Sequence, residues 1–289
     1  MNDINMRLAR IEYLMEKRPL LLNSVILRQN PNNIHEWHKR AKLYKNDKKE
    51  LVLTYVEAIK TIDISHCIGK VSSIWLALAR YYEQEEDYTN ARMIYEKATK
   101  VNYKHIDELA NIYCAYAEME MRLDEYENAL TIMQQAVTEP VLTMKKRRAE
   151  AAVHGKAQDR HLTNTTTNNE NTDITVSDKL YKNTKVWSLY LDLEESIGTI
   201  ETCRAAYERV LDLKVITAQM CINYANFLEE NLFFEDSFRV YEHAIALFHF
   251  PQVKQIWLLY LDKFLARYGS TKMERLRDLY EQVLIKLPA

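Results

Sequence analysis

Apolar and small residues recur along the chain at helical spacing, and the same set of positions is repeated six times. In the first set, Trp37, Ala41 and Tyr44 follow one another by four and three residues, so they lie on one face of a helix. The sets begin at six residues that we call the anchors: Trp37, Trp75, Tyr113, Trp187, Cys221 and Trp257. The pattern therefore predicts six amphipathic helices, one at the start of each repeat.

A second helix is predicted after each anchor helix, marked by a residue that stands three positions before a small or β-branched one. These markers follow their anchors by 18 to 23 residues: Tyr55, Tyr95, Met133, Tyr207, Tyr241 and Tyr280. In four repeats another Tyr stands three residues after the anchor: Tyr116, Tyr190, Tyr224 and Tyr260. We expect these aromatic side chains to fill the core, and Trp75→Ala to cost roughly 3–5 kcal/mol.

The repeat length predicts the fold. Consecutive anchors are 34 to 38 residues apart except between Tyr113 and Trp187, where 74 residues leave room for an insert. A period of this length with two helices per repeat is typical of all-α solenoids, superhelices of stacked antiparallel helix pairs of the tetratricopeptide (TPR) or half-a-TPR (HAT) type. We predict the end of a preceding helical unit at 1–30, repeats 1–3 at 31–140, an insert at 141–182, and repeats 4–6 at 183–289.

The predicted insert interrupts the helical pattern. It carries a Thr- and Asn-rich stretch, HLTNTTTNNENTDITVSD, with too few apolar residues to offset the entropy of ordering, so we expect a flexible segment. A basic cluster stands near its beginning: Lys145, Lys146, Arg147 and Arg148. This cluster is either a solvated helix end or a basic patch for nuclear import or RNA phosphate.

Composition narrows the class of partner. The 39 basic and 41 acidic residues give a net charge of −2, which provides no general attraction for nucleic acid, so a protein partner is favoured. Four cysteines without a CxxC pair indicate neither a zinc site nor a disulfide framework. The N-terminus has no signal-peptide pattern, and no apolar run is long enough to span a bilayer, so no membrane association is expected.

No catalytic motif is recognisable. His35 and His38 are three residues apart, whereas a zinc-protease helix needs two His four apart. The pair His66 and Cys67 has no second pair of ligands nearby. The four glycines form no phosphate-binding loop, and acidic pairs such as Glu194 with Glu195 are expected to make inter-helix contacts. We therefore predict no enzyme, no metal, no cofactor and no small-molecule substrate.

Several long stretches resemble one family. An aromatic anchor followed by a Tyr-Glu-x-Ala core resembles HAT repeats. More specific stretches are 18–31 (RPLLLNSVILRQNP), 36–40 (EWHKR), 96–102 (EKATKVN), 185–196 (KVWSLYLDLEES), 222–230 (INYANFLEE) and 260–269 (YLDKFLARYG). In these stretches the chain resembles the SYF family of pre-mRNA-splicing factors, also called XPA-binding splicing factors, which are HAT proteins like the crooked-neck group.

The resemblance implies a nuclear scaffold of the spliceosome. Family members belong to the NineTeen-type complex, so the expected partners are other HAT-repeat and NineTeen-complex proteins, with RNA contacted indirectly or through the basic cluster. A link to transcription-coupled repair is also known for the family. Members are much longer than 289 residues, so we expect an internal-to-C-terminal section whose exposed repeat ends cause self-association.

Two alternatives remain open from the sequence. A TPR-type peptide-binding adaptor or co-chaperone needs Lys, Arg and Asn on its first helices to bind a carboxylate terminus, but Trp, Tyr, Leu and Glu dominate those positions here. A helical array that binds RNA directly needs a basic stripe, which the near-zero net charge disfavours.

Overall fold

A computed structural model of the protein describes residues 2–139 and 177–286. Within these ranges the chain forms thirteen α-helices, two short 3-10 helices and no strand. It divides into two compact units, Met1–Val186 and Trp187–Ala289. The predicted all-α class is therefore confirmed.

The first unit contains seven complete helices and the start of an eighth. Each anchor helix packs against the second helix of its own repeat, and α4 also contacts the next anchor helix, α6. The helices are α1 (Asn2–Gln29), α2 (Ile34–Leu43), α3 (Lys48–Thr61), α4 (Ser72–Gln84), α5 (Tyr88–Thr99), α6 (Ile106–Arg122), α7 (Tyr126–Val137) and α8 (Thr184–Ile197).

The second unit repeats the arrangement. It contains most of α8, then α9 (Ile200–Leu213), α10 (Ala218–Glu230), α11 (Phe234–Leu247), α12 (Val253–Tyr268) and α13 (Met273–Lys286). Consecutive helices from α10 to α13 pack on one another as antiparallel neighbours. Within each unit, these stacked antiparallel pairs form the predicted α-solenoid arrangement.

Short polar residues and left-handed turns delimit the helices. Asp47, Asp87 and Thr217 each cap a helix by accepting a hydrogen bond from a backbone N–H of its first turn. Between the two helices of a repeat, the backbone turns through a left-handed residue eleven positions after the anchor, which is Glu86, Asp124 or Leu232. The turn is therefore repeated although its residue type is not.

The first thirty residues form a single helix. The sequence predicted the end of a preceding helical unit at 1–30, and α1 runs through Pro19 to Gln29. Asn23, which is buried, donates hydrogen bonds from Nδ2 to the carbonyl oxygen of Glu36 at 2.9 Å and to its Oε2 at 3.1 Å. The C-terminal part of α1 is thus docked on α2, although Pro19 cannot donate a backbone hydrogen bond within the helix.

The end of the predicted insert is ordered. Ser177–Lys182 forms a 3-10 helix that packs against α6 and α7, with Leu180 and Tyr181 buried. The predicted boundary at 182 was therefore wrong, because these two apolar side chains provide enough buried surface to order the segment. Residues 140–176, with Lys145, Lys146, Arg147 and Arg148, lie outside the described part of the chain.

Most of the proposed anchor and marker side chains are buried. They include Trp37, Trp187, Trp257, Tyr55, Tyr95, Tyr207 and Tyr241. Trp75 and Tyr113 are only partly buried, because the fully buried stripes of their helices run through neighbouring residues such as Ile74 and Ile112. We therefore expect Trp75→Ala to cost less than the equivalent change at Trp187.

Tyr280 departs from the prediction. Its side chain is 42% exposed, whereas Tyr241, at the same position of the preceding repeat, is fully buried. Tyr241 is covered by Tyr260 of the following anchor helix, but no described helix follows α13. The expected core role of Tyr280 is therefore not seen.

Candidate interaction surfaces

Tyrosine stacks join consecutive repeats. The marker Tyr of one repeat lies flat against the Tyr three residues after the next anchor. Ring centroids are 5.1 Å apart for Tyr95 and Tyr116, and 4.4 Å apart for Tyr207 and Tyr224, with interplanar angles of 5° and 9°. The third stack, Tyr241 on Tyr260, has a spacing of 5.7 Å. These stacks were not predicted, although the sequence showed both tyrosines of each pair.

Carboxylates at the ends of anchor helices accept hydrogen bonds from tyrosine hydroxyls. Tyr95 donates to Oε1 of Glu83 at 2.8 Å, and Tyr207 donates to Oε1 of Glu195. Burial raises the pKa of both phenols, and burial also raises the pKa of Glu195. The acidic residues at this position therefore hold two helices of one repeat together.

The repeat that begins at Cys221 lacks this hydrogen bond. Glu229 stands where Glu83 and Glu195 stand, but its carboxylate binds Nζ of Lys263 at 2.6 Å. The hydroxyl of Tyr241 is buried and has no hydrogen-bond partner among the described residues. An ion pair to the next anchor helix has replaced the hydrogen bond within the repeat.

Ion pairs also cross between repeats. Arg92 of α5 binds Glu120 of α6 through two hydrogen bonds, Nε to Oε1 at 2.8 Å and the terminal nitrogen to Oε2 at 2.7 Å. Glu120 is almost fully buried, and a charge in that position requires such a bidentate partner. Arg204 and Asp236 form a further pair at 3.1 Å in the second unit.

Three of the four cysteines are in surroundings that suppress thiolate chemistry. Burial raises the pKa of Cys114 to about 11 and the pKa of Cys203 and Cys221 to about 12 each. A thiol is a nucleophile only as its thiolate, so these three are unsuited to catalysis. His66 pairs with Asp63 at 2.8 Å on the surface, and the described residues contain no group of three potential metal ligands.

Two open grooves occupy equivalent places in the two units. In the first unit a groove of about 490 Å³ is lined by α5, α6 and α7, with Tyr113 and Tyr116 on its wall. In the second unit a groove of about 630 Å³ is lined by α11, α12 and α13, with Trp257 and Tyr260 in the matching positions. In both units, aromatic side chains of the anchor helix thus line an open groove.

The family is shown by comparison with known sequences. The family described as "Pre-mRNA-splicing factor Syf1/CRNKL1 C-terminal HAT repeat" matches residues 65–289, and the SYF1 middle HAT repeat family matches residues 1–62. The chain belongs to the Syf1/CRNKL1 HAT-repeat family. The resemblance seen in the sequence is thereby confirmed.

Relatives in this family are similar over almost the whole chain. The Drosophila melanogaster pre-mRNA-splicing factor syf1 homolog and Homo sapiens pre-mRNA-splicing factor SYF1 are each 45% identical over 99% of it. Pre-mRNA-splicing factor cwf3 of Schizosaccharomyces pombe is 40% identical over the same share. The chain spans about a third of the length of these curated relatives, namely 30%, 31% and 33%.

The fold has weaker counterparts among solved structures. The crystal structure of BtubC from P. vanneervenii gives a TM-score of 0.36 at 15% identity, covering 95% of this chain and 94% of that one. That likeness carries no functional conclusion. The described part of the chain contains no helix with the length and apolar character required to cross a bilayer.

Proposed function

We propose that this chain is a non-catalytic scaffold that acts in pre-mRNA splicing through protein–protein contacts in the nucleus. The observation that carries the proposal is family membership over nearly the full length, with relatives that are named pre-mRNA-splicing factors. As in the resemblance described above, the expected partners are HAT-repeat and NineTeen-complex proteins of the spliceosome.

The internal contacts support a scaffold role. Within each unit, tyrosine stacks and ion pairs connect neighbouring repeats, as in Tyr95 with Tyr116 and Arg92 with Glu120. A helix array cross-linked in this way holds the side chains of its outer faces at defined spacings, so that partners bind a preorganised surface. The aromatic anchors are assigned this structural role and no ligand.

The buried polar groups support the absence of catalysis. Glu120 is almost fully buried and bound to Arg92, while Glu83 and Glu195 accept hydrogen bonds from Tyr95 and Tyr207. A general acid or base has to reach a substrate, whereas these carboxylates face neighbouring helices. The proposal is therefore that binding energy, and no chemical step, is the contribution of this chain.

The test is affinity purification of the tagged chain from nuclear extract, followed by identification of the bound proteins and RNAs. We expect splicing proteins and small nuclear RNAs. A Tyr241→Ala variant, in which a repeat junction is destabilised, serves as control and should lose these partners. Recovery of chaperones alone by the folded wild-type chain would contradict the scaffold proposal and favour a TPR-type peptide adaptor or co-chaperone.

A further inference from the structure

The beginnings of three anchor helices lie along one edge of the first unit. The backbone N–H of Ser72, at the start of α4, donates to Oε2 of Glu108 in the first turn of α6 at 3.1 Å. Asn183, just before α8, donates from Nδ2 to Oδ1 of Asp107 in that same turn at 2.9 Å. These two hydrogen bonds bring the starts of α4, α6 and α8 together.

A lysine stands two residues before each of these helices. Lys70 precedes Ser72, Lys104 precedes Ile106 and Lys182 precedes Thr184, each by the same spacing. Three more lysines lie on or next to these segments, and all six are exposed. We call them the lysine edge: Lys70, Lys100, Lys104, Lys179, Lys182 and Lys185.

The lysine edge lacks neutralising partners. None of its six ammonium groups forms an ion pair within the described part of the chain, whereas Lys48 elsewhere in the same unit pairs with Glu85 at 2.5 Å. Three carboxylates of this part of the chain are bound to other groups. Asp63 pairs with His66, Asp107 accepts from Asn183, and the buried Glu108 accepts from the N–H of Ser72.

Helix stability does not account for these lysines. The start of a helix carries partial positive charge, so a cation there is unfavourable, while an anion is favoured. Lys60 and Lys97 lie in the last turns of α3 and α5, where the negative end of the helix dipole stabilises a cation. Lys70, Lys104 and Lys182 stand at the unfavourable end. In the second unit the same position, two residues before α10 and α12, holds Ile216 and Pro251.

The other ends of α4 and α6 carry acidic side chains. The turns that join α4 to α5 and α6 to α7 hold exposed carboxylates: Glu85, Glu86, Asp124 and Glu125. A lysine there is paired, since Lys48 binds Glu85, whereas the lysine edge has no ion pair among the described residues. The net charge of the whole chain is only −2. The near-neutral total, which argued against nucleic-acid binding, conceals a local basic surface.

We propose that the lysine edge binds the phosphate backbone of an RNA strand without reading its sequence. Directly packed helices lie roughly 8–10 Å apart, so three successive helix starts extend over roughly 20 Å and can meet several phosphates. Tyr103 and Tyr181, the aromatic residues beside these lysines, are buried and offer no surface for base stacking. Recognition is therefore by charge alone. The choice of RNA among polyanions rests on the proposed role in splicing.

The test uses the complete chain and a fluorescein-labelled 20-nucleotide oligouridylate, with binding followed by fluorescence anisotropy between 50 and 200 mM salt. The variant is Lys70→Ala with Lys104→Ala and Lys182→Ala. We expect affinity at about 50 mM salt to fall roughly tenfold or more, and the slope of log K against log salt to become shallower by about 2, since each lost phosphate contact contributes about 0.7.

The matched control removes the same charge from another exposed lysine group, with Lys42→Ala, Lys45→Ala and Lys49→Ala. Its affinity should change less than about threefold, and circular dichroism should show that both triple variants melt like the wild type. Equal losses in the two variants would overturn the proposal. So would loss of binding only when Lys145, Lys146, Arg147 and Arg148 are replaced by Ala.

A polyglutamate chain of equal charge distinguishes RNA from an acidic protein. If polyglutamate competes with the labelled RNA as strongly as unlabelled RNA does, the lysine edge binds acidic polypeptide and the RNA proposal fails. The proposed scaffold role is separable, since the lysine variant should still recover splicing proteins from nuclear extract. Retained proteins with unchanged anisotropy would refute only the lysine edge. If the wild-type chain recovers no splicing proteins but the lysine variant loses RNA affinity as expected, only the scaffold role is refuted.

Discussion

Tyr241 in α11 and Tyr280 in α13 occupy the same position of the same repeat motif, yet one is fully buried and the other is 42% exposed. Their local sequences, RVYEHA and DLYEQV, are closely similar. The difference lies in what covers the ring. Tyr260 of the next anchor helix stacks on Tyr241, whereas no described helix follows α13. The repeat motif therefore places the Tyr side chain at the edge of its helix pair, and contact with the following anchor helix determines whether that side chain is buried.

The largest expected effect comes from truncating these two side chains. Tyr241→Ala should lower the free energy of unfolding by roughly 3–5 kcal/mol, because it removes a fully buried ring and with it the stacking contact to Tyr260. Tyr280→Ala should lower it by less than about 1 kcal/mol. Urea unfolding followed by circular dichroism measures both. Equal losses would show that the motif, and not the neighbouring repeat, determines the contribution.

The next effect concerns ion pairs in inner and terminal repeats. Arg92→Ala leaves the buried Glu120 without its bidentate partner, and we expect a loss of roughly 2–3 kcal/mol. The exposed pair of Arg277 with Glu281 in α13 is the control, and Arg277→Ala should change stability by less than about 0.5 kcal/mol. Replacing Arg92 by Met and Glu120 by Leu together should recover most of the loss. A larger loss of stability for Arg277→Ala than for Arg92→Ala would contradict the prediction.

A smaller effect separates two inner tyrosines. Tyr207→Phe removes a hydroxyl that donates to Glu195 and should cost about 1 kcal/mol. Tyr241→Phe removes a buried hydroxyl with no partner among the described residues, so stability should be unchanged or slightly higher. Thermal melting of both variants checks this. A destabilised Tyr241→Phe variant would mean that its hydroxyl is satisfied in solution.

The smallest effect is self-association through uncovered faces. Leu284 and Ile285 of α13 are 70% and 83% exposed, and α1 exposes a further apolar groove along Ile11, Leu14 and Leu22. We expect light scattering to show a mass that rises with concentration, and Leu284→Lys with Ile285→Lys to reduce that rise. Leu232→Lys, at an isolated exposed leucine, is the control. A chain that stays monomeric at all concentrations contradicts this prediction.

Helical spacing predicted the repeats because packing between two helices of one pair depends mainly on local sequence. The anchors and markers, for example Trp187 and Tyr207, could be phased from their 20-residue separation alone. The failures are all non-local. Trp75 lies at the margin of a buried stripe, and 177–182 is ordered by α6 and α7. Neither fact can be read from spacing, because each depends on surfaces distant in the chain.

The candidate surfaces divide in the same way. The basic run at 145–148 was visible in the sequence because its charges are consecutive. The lysine edge was not visible, since Lys70, Lys104 and Lys182 are far apart in the chain and only the stacking of α4, α6 and α8 brings them to one side. A cluster of consecutive charged residues can be identified from the sequence, whereas a cluster formed by residues of several repeats can be identified only from the structure.

The sequence by itself determined the helical class, the repeat phasing and the family, since each depends on residue types at short spacings. Only the tertiary structure decided which aromatic rings are covered, which carboxylates are bound to a Tyr or an Arg, and which lysines share an edge. The physical reason is that burial and electrostatic pairing are properties of neighbours in space. In a stacked array those neighbours lie on other helices, from 12 residues away for Tyr207 and Glu195 to 34 residues away for Glu229 and Lys263.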